Sequence, residues 1–354
     1  MGVTLSSEAP LAALLESALD RRGSLLAQLA AEGTDCYRIF HGVAEGRPGL
    51  AVDRYGEVLL FQTWREPLEE SELAAMSEQV TSHLGVELTT VWNHRGGDKK
   101  KPYSEWHVAP DLTGTEAQEG GLHFSVDPRH GGRDPLFFLD FRAARRRLRA
   151  EASGRSVLNL FSYTGTAGVA ALAGGAREVL HVDFAASALE VAKRNAARNG
   201  YSESESAVLL ADALLVTRQL AGLPIKGRGV HRGRRGGRMD HRAHRKPAAS
   251  VTPRQYDVVV LDPPRWATSR FGAVDLVRDY QGVFKPALLA TRPGGGMLVA
   301  NNAAALKLED WVGILERCAA KAGRPIRKTE VITPDDDFPS FDGSHPLKLA
   351  WLDV

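Results

Sequence analysis

Three acidic residues at the ends of apolar runs are the part of this chain best placed to do chemistry. Asp183 closes the run 179–182, Asp212 follows the run 207–210, and Asp262 closes Tyr256-Asp-Val-Val-Val-Leu261. Upstream, Val157-Leu-Asn-Leu-Phe161 leads into Ser-Tyr-Thr-Gly-Thr-Ala-Gly168, an apolar strand, a glycine-containing turn and the opening of a helix. Strand, glycine turn, helix and then an acid about 20 residues on is the layout of a nucleoside site on a doubly wound sheet. Glycine lets the backbone come close to a ligand, and a carboxylate at the next strand end accepts hydrogen bonds from a ribose diol. The pattern by itself names no cofactor.

The second anchor is Asp262-Pro-Pro-Arg-Trp266. A buried strand would deliver Asp262 to the carboxyl edge of the sheet, where open α/β folds bind ligands. Two prolines hold the backbone extended and leave its carbonyls free to accept bonds from a base. Trp266 can stack on such a base, an interaction of about 1–3 kcal/mol in single-stranded recognition. Plainer readings stand beside these: a rigid strand-to-loop corner with a core tryptophan, a helix N-terminal acid at Asp183, and a helix cap at Asp212.

The elements that must position these groups follow from periodicity. From residue 156 onward strands alternate with helices: strands at 157–161, 179–183, 207–210, 256–262, 297–301, 326–332 and 347–354, and helices including 165–173, 187–199, 274–291 and 308–322. Six alternating strands predict a largely parallel sheet covered on both faces. Only 333–346 separates the last two strands, without a helical pattern, so they are expected to pair antiparallel. Before this lies a helix at 9–32, then glycine-punctuated strands at 37–40, 50–53 and 58–64, a helix at 69–84 and strands at 89–93 and 122–126. The expected domains are a helix and linker at 1–34, a small α+β domain at 35–130, a candidate for RNA binding, and an α/β domain at 131–354.

At 354 residues the chain is long for one core and comfortable for two domains. Its 43% hydrophobic and 25% charged content is ordinary for a globular protein. No apolar run is long enough to span a membrane, no secretory signal is read at the N-terminus, and a cytoplasmic location is expected. The two cysteines, Cys36 and Cys318, have no metal-ligand spacing, so no metal is expected. Net charge is +2, but its distribution is uneven. Arg142, Arg145, Arg146, Arg147 and Arg149 crowd one helical stretch, and residues 226–246 hold nine Lys or Arg against the single acid Asp240. That block, within an insertion at 220–253, cannot bury a core. Its arginines, among them Arg232, Arg234 and Arg235, are either an electrostatic hold on RNA phosphates or a solvated insertion.

These motifs carry a resemblance. Asn159-Leu-Phe-Ser-Tyr-Thr-Gly165 and Asp262-Pro-Pro264 are similar to the first and fourth motifs of the Rossmann-type, S-adenosylmethionine-dependent methyltransferases of 23S rRNA. Glu45-Gly-Arg-Pro-Gly-Leu-Ala-Val-Asp-Arg-Tyr-Gly56 resembles the opening of their central α+β domain, and Phe137-Phe-Leu-Asp-Phe-Arg142 the segment leading into their catalytic domain. The resemblance covers roughly residues 20–354 and implies a seven-stranded Rossmann-like sheet whose last strand is antiparallel. It implies that Phe161, Tyr163 and Gly165 line the methionine side of the cofactor. By the same likeness Asp183 binds the ribose, Asp212 the adenine amino group, and Asp140 and Arg142 close over the cofactor. Three departures stand out: only a helix precedes the α+β domain, Asp134-Pro135 replaces the usual Thr-Gly pair, and the basic insertion is unusual.

Family members that methylate pyrimidine carbon carry a cysteine near the segment Val299-Ala-Asn-Asn-Ala303, because that carbon needs covalent activation. This chain has Asn301 and Asn302 there, which resembles the guanine-N7 branch. Guanine N7 carries a free lone pair, so positioning against the sulfonium methyl suffices. The expected catalytic set is Asp262, Pro263, Pro264 and Asn301, with Asn301 bonding a base edge. The competing reading of the asparagines is an amide pair satisfying loop backbone.

The leading expectation is an enzyme that methylates 23S rRNA at a base nitrogen, on naked rRNA or an assembly particle. A methyltransferase of a small molecule or protein, and a non-catalytic RNA-binding module, are the alternatives. An NAD-dependent oxidoreductase is the weakest rival, since Tyr163-Thr-Gly-Thr-Ala-Gly168 lacks the first glycine of G-x-G-x-x-G. Oligomeric state is left open, a homodimer being one option.

Overall fold

Leu15, Ala18, Leu19, Leu25 and Leu29 recur at helical spacing and are buried, which makes the first helix one wall of a core rather than a separate arm. The computed structural model describes residues 10–96, 106–108, 112, 114–128, 134–224, 251–264, 266–269 and 272–354. The chain divides into two units: Met1–Ala143 with Pro334–Ser344, and Ala144–Thr333 with His345–Val354.

In the first unit, helix α1 (Leu11–Ala31) is followed by strands β1 (Cys36–His41), β2 (Leu50–Tyr55) and β3 (Val58–Thr63), helix α2 (Glu70–Leu84), and strands β4 (Thr89–His94) and β5 (Trp106–Val108). These strands form one sheet in the order β1-β2-β3-β4-β5. All pairs are antiparallel except β3 with β4, which α2 connects as a crossover. α2 begins with a reciprocal Glu69–Glu72 capping box and ends at Gly85 in the left-handed conformation. Apolar side chains of α1, α2 and β1 to β4 share one core. A hairpin, β6 (Glu116–Glu119) and β7 (Leu122–Ser125), completes the unit.

Helix α1 packs in the same core as the first sheet. The division falls between Ala143 and Ala144 rather than at 131, and the segment Pro334–Ser344 belongs to the first unit. Asp337 explains that placement. Its fully buried carboxylate accepts from the Arg142 guanidinium and from the Arg38 N–H at 3.0 Å, while its carbonyl accepts from Arg22 at 3.2 Å.

In the second unit, α3 (Arg142–Glu151, entering from the boundary) leads to β8 (Ser156–Leu160), α4 (Thr166–Ala173), β9 (Glu178–Asp183), α5 (Ala186–Arg198), β10 (Ser206–Leu210) and α6 (Ala213–Leu220). Then come β11 (Tyr256–Leu261), the hairpin β12 (Trp266–Ser269) and β13 (Gly272–Asp275), α7 (Tyr280–Ala290), β14 (Thr291–Asn301), α8 (Leu308–Lys321), β15 (Lys328–Ile332) and β16 (Lys348–Asp353). The seven-stranded sheet has the order β10-β9-β8-β11-β14-β16-β15. The first five are parallel; β16 runs antiparallel to both β14 and β15, as the short helix-free connection requires. Leu158, Leu160 and Val182 face the apolar cluster built by α6, α7 and α8. The alternate residues of β8 and β9 face α4, where Val179 and His181 lie against Gly168.

The stretch expected to be one helix at 274–291 is a hairpin strand followed by a shorter helix. Helix α6 begins directly after Asp212, where the cap reading of that acid places a helix. The basic block at 226–246, with Arg232, Arg234 and Arg235, lies outside the described residues. Among the described residues, no helix is long and apolar enough to cross a membrane, and no group of three or more His, Cys, Asp or Glu is placed to hold a metal ion.

Candidate functional site

The parallel strands of the second unit end in step. Leu160 pairs with Val182 and with Leu261, Leu210 with Asp183, and Leu261 with Val299. β8 lies between β9 and β11, so the chain winds one way from β8 to β10 and the other way from β11 onward. That reversal is the topological switch point where open α/β sheets bind ligands. The turn 161–165, Asp183 and Asp262 therefore occupy adjacent strand ends.

The turn after β8 is strained and tied down. Phe161 and Tyr163 adopt left-handed conformations at φ 56 and 47, which bulky side chains rarely do. Such conformations persist where surrounding bonds over-determine them. Here the Ser162 N–H donates to the Val182 carbonyl at 3.1 Å and the Asn195 amide donates to the Thr164 carbonyl at 2.9 Å. The Tyr163 N–H donates to Asp183 Oδ2 at 2.9 Å. Gly165, at φ 75, opens α4, and a Cβ there would sit 2.7 Å from the Ala192 Cβ. The glycine is required by both backbone and space.

Asp183 is 6% exposed, and its Oδ1 accepts from the Ala185 N–H at 2.9 Å. Each carboxylate oxygen thus has one backbone donor and retains acceptor capacity. Directly after it, Phe184 stands 69% exposed, a large apolar face beside a polar strand tip. Beneath the turn runs a buried polar line. The Asn159 amide approaches His181 Nδ1 at 3.3 Å and His181 Nε2 meets Ser206 Oγ at 3.1 Å. Burial alone pulls the His181 pKa down to about 4, so the imidazole is neutral near pH 7.

Asp212 serves as the N-cap of α6: its Oδ1 accepts from Leu214 N–H at 2.9 Å and Leu215 N–H at 3.3 Å. The plainer reading of this acid accounts for that oxygen.

At the end of β11, Asp262 and Pro264 are half-buried and Pro263 is buried. Tyr280 supports the corner from inside. Its hydroxyl donates to the Ala300 carbonyl at 2.8 Å, and burial, with the nearby Asp262 charge, pushes its phenol well above the usual range. The backbone at Trp266 opens β12.

The structure places Asn301 at the end of β14. It is fully buried, its amide donates to the Leu276 carbonyl at 3.1 Å, and its Oδ1 accepts from the Ala303 N–H at 2.8 Å. It braces the loop, and the exposed asparagine at this strand end is Asn302. Lys348 completes the brace, donating to the Ala303 carbonyl at 2.9 Å from a buried position that lowers its pKa.

Arg142 lies at the end of the first unit's main segment. Its guanidinium is 1% exposed and bonds Asp335, Asp337 and the Cys36 carbonyl within the first unit. Both terminal nitrogens are thus held by partners of the first unit, and the Nε lies 3.7 Å from the Glu119 carboxylate. Asp140 belongs to the same unit, where its charge acts on Arg38 and Tyr55. The arginine cluster of α3 is likewise structural in part: Arg145 is buried, and Arg147 pairs with Glu151 and Glu330.

Sequence reading missed Phe184, Tyr280 and Lys348. An aromatic residue following a strand-end acid was the one available signal for Phe184. Tyr280 and Lys348 act through tertiary contacts that no local pattern encodes.

A doubly wound sheet with carboxylates at its switch point is the class of α/β fold that binds ligands at those strand ends. Residues 37–218 match the model of the S-adenosylmethionine-dependent methyltransferase family. A ribosomal RNA large subunit methyltransferase of Deinococcus radiodurans is 30% identical, covering 97% of this chain and 78% of that protein. Ribosomal RNA large subunit methyltransferase I of Aeromonas hydrophila subsp. hydrophila is 26% identical, covering 87% and 71%. A protein described as a methyltransferase complexed with SAH has the same fold, with a TM-score of 0.76 at 19% identity over 100% of this chain and 83% of its own. A Streptococcus mutans protein described as SAM-dependent gives a TM-score of 0.72 with the same identity and coverage. The chain belongs to the S-adenosylmethionine-dependent methyltransferases, and S-adenosylmethionine is its cofactor. The residues present fit that group: a backbone-anchored carboxylate that keeps acceptor capacity, an exposed aromatic residue directly after it, and a glycine-containing turn at the adjacent strand end.

Proposed function

We propose that this enzyme methylates large-subunit (23S) ribosomal RNA at a base nitrogen, guanine N7 being the reading favoured here. The observation that carries the proposal is the placement of the Asp262-Pro-Pro264 corner on the strand next to the cofactor turn. The names of the relatives, ribosomal RNA large subunit methyltransferases, support the substrate class.

S-adenosylmethionine, when bound, supplies an electrophilic methyl on a sulfonium. Asp183 binds the ribose hydroxyls, Phe184 covers the adenine, and the backbone of Phe161, Tyr163 and Gly165 borders the methionine end. The carbonyls of the Pro-Pro corner and the exposed Asn302 hold the target base in line. A guanine N7 has no proton to lose, so these groups need only orient it, and orientation alone contributes several kcal/mol. An attack through sulfur is disfavoured. Cys36 is buried with its Sγ donating to the Gln118 carbonyl at 3.1 Å, and Cys318 is buried in α8, where burial raises its pKa.

Incubating 23S rRNA with the enzyme and S-adenosylmethionine, then digesting it for mass spectrometry of nucleosides, tests the proposal. The expected product is 7-methylguanosine. An exocyclic N-methyl product would move the target atom while keeping the non-covalent route, and 5-methylcytidine would overturn both. Methylation of small molecules or proteins with rRNA untouched would replace the substrate class.

A further inference from the structure

At one edge of the first unit's sheet, an exposed tryptophan stands among arginines. β3 is buried at every position, yet the next two residues, Trp64 and Arg65, are exposed, Trp64 by 42%. The Arg95 guanidinium, just past the parallel neighbour β4, lies 5.7 Å from the centre of the Trp64 ring. Arg47 reaches the same edge, with Nη2 3.8 Å from the Glu66 carboxylate, the acid of the patch.

The backbone beneath is fixed. The Trp64 N–H donates to the Gly49 carbonyl at 2.8 Å, and the Arg95 N–H donates to the Thr63 carbonyl at 2.6 Å. A Cβ on Gly49 would strike the Arg65 stem at 2.9 Å, and one on Gly96 would lie 2.6 Å from the Arg65 carbonyl. The two glycines let three segments converge. His94 is held by Thr63, whose Oγ1 meets its Nδ1 at 2.8 Å and also accepts from Trp92.

A large exposed aromatic face with the Arg95 guanidinium over it, Arg65 next to it in the chain and Arg47 close by at Glu66, suits a ligand that alternates flat bases with anionic phosphates. An apolar protein partner would be matched instead by neighbouring apolar side chains, whereas among the described residues the side chains placed here are Arg47, Arg65, Arg95 and Glu66. We propose that this edge is a docking surface for single-stranded RNA, with a base stacked on Trp64 and phosphates drawn to Arg65 and Arg47. The proposal rests on the RNA reading above, but it concerns residues outside the methyl-transfer site.

The test uses the full chain and a fluorescein-labelled single-stranded fragment of 23S rRNA, with anisotropy titrations at several salt concentrations. S-adenosylmethionine affinity, by calorimetry, serves as the folding control. Trp64→Ala is expected to weaken RNA binding tenfold or more, while Trp64→Phe, which keeps a stacking face, retains most of it. Arg65→Ala should lower the salt slope by about 0.7. Cofactor affinity should be unchanged in all three. Wild-type RNA affinity and salt slope in Trp64→Ala and Arg65→Ala would overturn this surface and leave the RNA reading standing. No RNA binding by the wild type would remove both. A dimer broken by Trp64→Ala with RNA affinity intact would make the edge a self-interface and overturn the proposal.

Discussion

In the first unit, the guanidinium groups of Arg22, Arg38 and Arg142 meet Glu45, Asp53 and Asp337, acids with essentially no exposure. In the second, the buried polar line Asn159–His181–Ser206 is neutral, and Asp183 and Asp262 stand at strand ends. The difference separates two uses of charge. Paired ions inside the first unit fix which segments meet, because an unpaired member is costly to bury. Asp337 brings in a segment from far along the chain on that basis. In the second unit, carboxylates held by backbone N–H groups keep acceptor capacity for a ligand.

The contrast breaks most sharply at Asp337. Replacing it with alanine removes one of the two carboxylates that Arg142 bonds and leaves the Arg38 N–H without its acceptor in a buried site, at a cost of about 3–5 kcal/mol. Urea unfolding should show that loss in the first unit's transition, and a loss below about 1 kcal/mol would mean the network is not what holds the segment.

His181 tests the neutral line. Its folded pKa of about 4 lies below the ordinary 6.5, so the unfolded chain binds more protons between those values. Stability is complete above pH 6.5 and falls as pH drops toward 4, by up to roughly 3 kcal/mol. The stability difference between wild type and His181→Gln, measured across that window, should change with pH in this sense. A flat difference would show that His181 is not buried neutral.

Gly165→Ala should cost on the order of 2 kcal/mol through its left-handed backbone and the close Ala192 contact. It should weaken cofactor binding more than Asp337→Ala does. Equal effects on cofactor affinity would erase the division of labour between the units. The smallest expected effect belongs to Cys318→Ser, which should leave methylation nearly unchanged because the thiol is packed in α8 rather than placed at a strand end. An inactive but folded variant would restore a covalent route.

The alternating unit was legible because strand length, glycine turns and strand-end acids are local signals. Runs such as Val258–Leu261 and the Asp183 spacing project directly onto the switch point. What escaped was encoded in contacts between distant residues. Arg142 reads as one of five arginines in a basic stretch, and only Asp335 and Asp337 show it to be an anchor. Asn301 and Asn302 are identical letters, and the loop alone decides which is buried. The segment around Asp337 has no helical or strand pattern, so its role in the first unit left no periodic trace.

Calorimetric titration of S-adenosylmethionine into wild type and Asp183→Ala tests the central claim most directly. The account predicts stoichiometric binding by the wild type and loss of measurable binding in the variant, with the unfolding transition of the second unit retained. Undiminished affinity in a folded Asp183→Ala would place the cofactor elsewhere and contradict it.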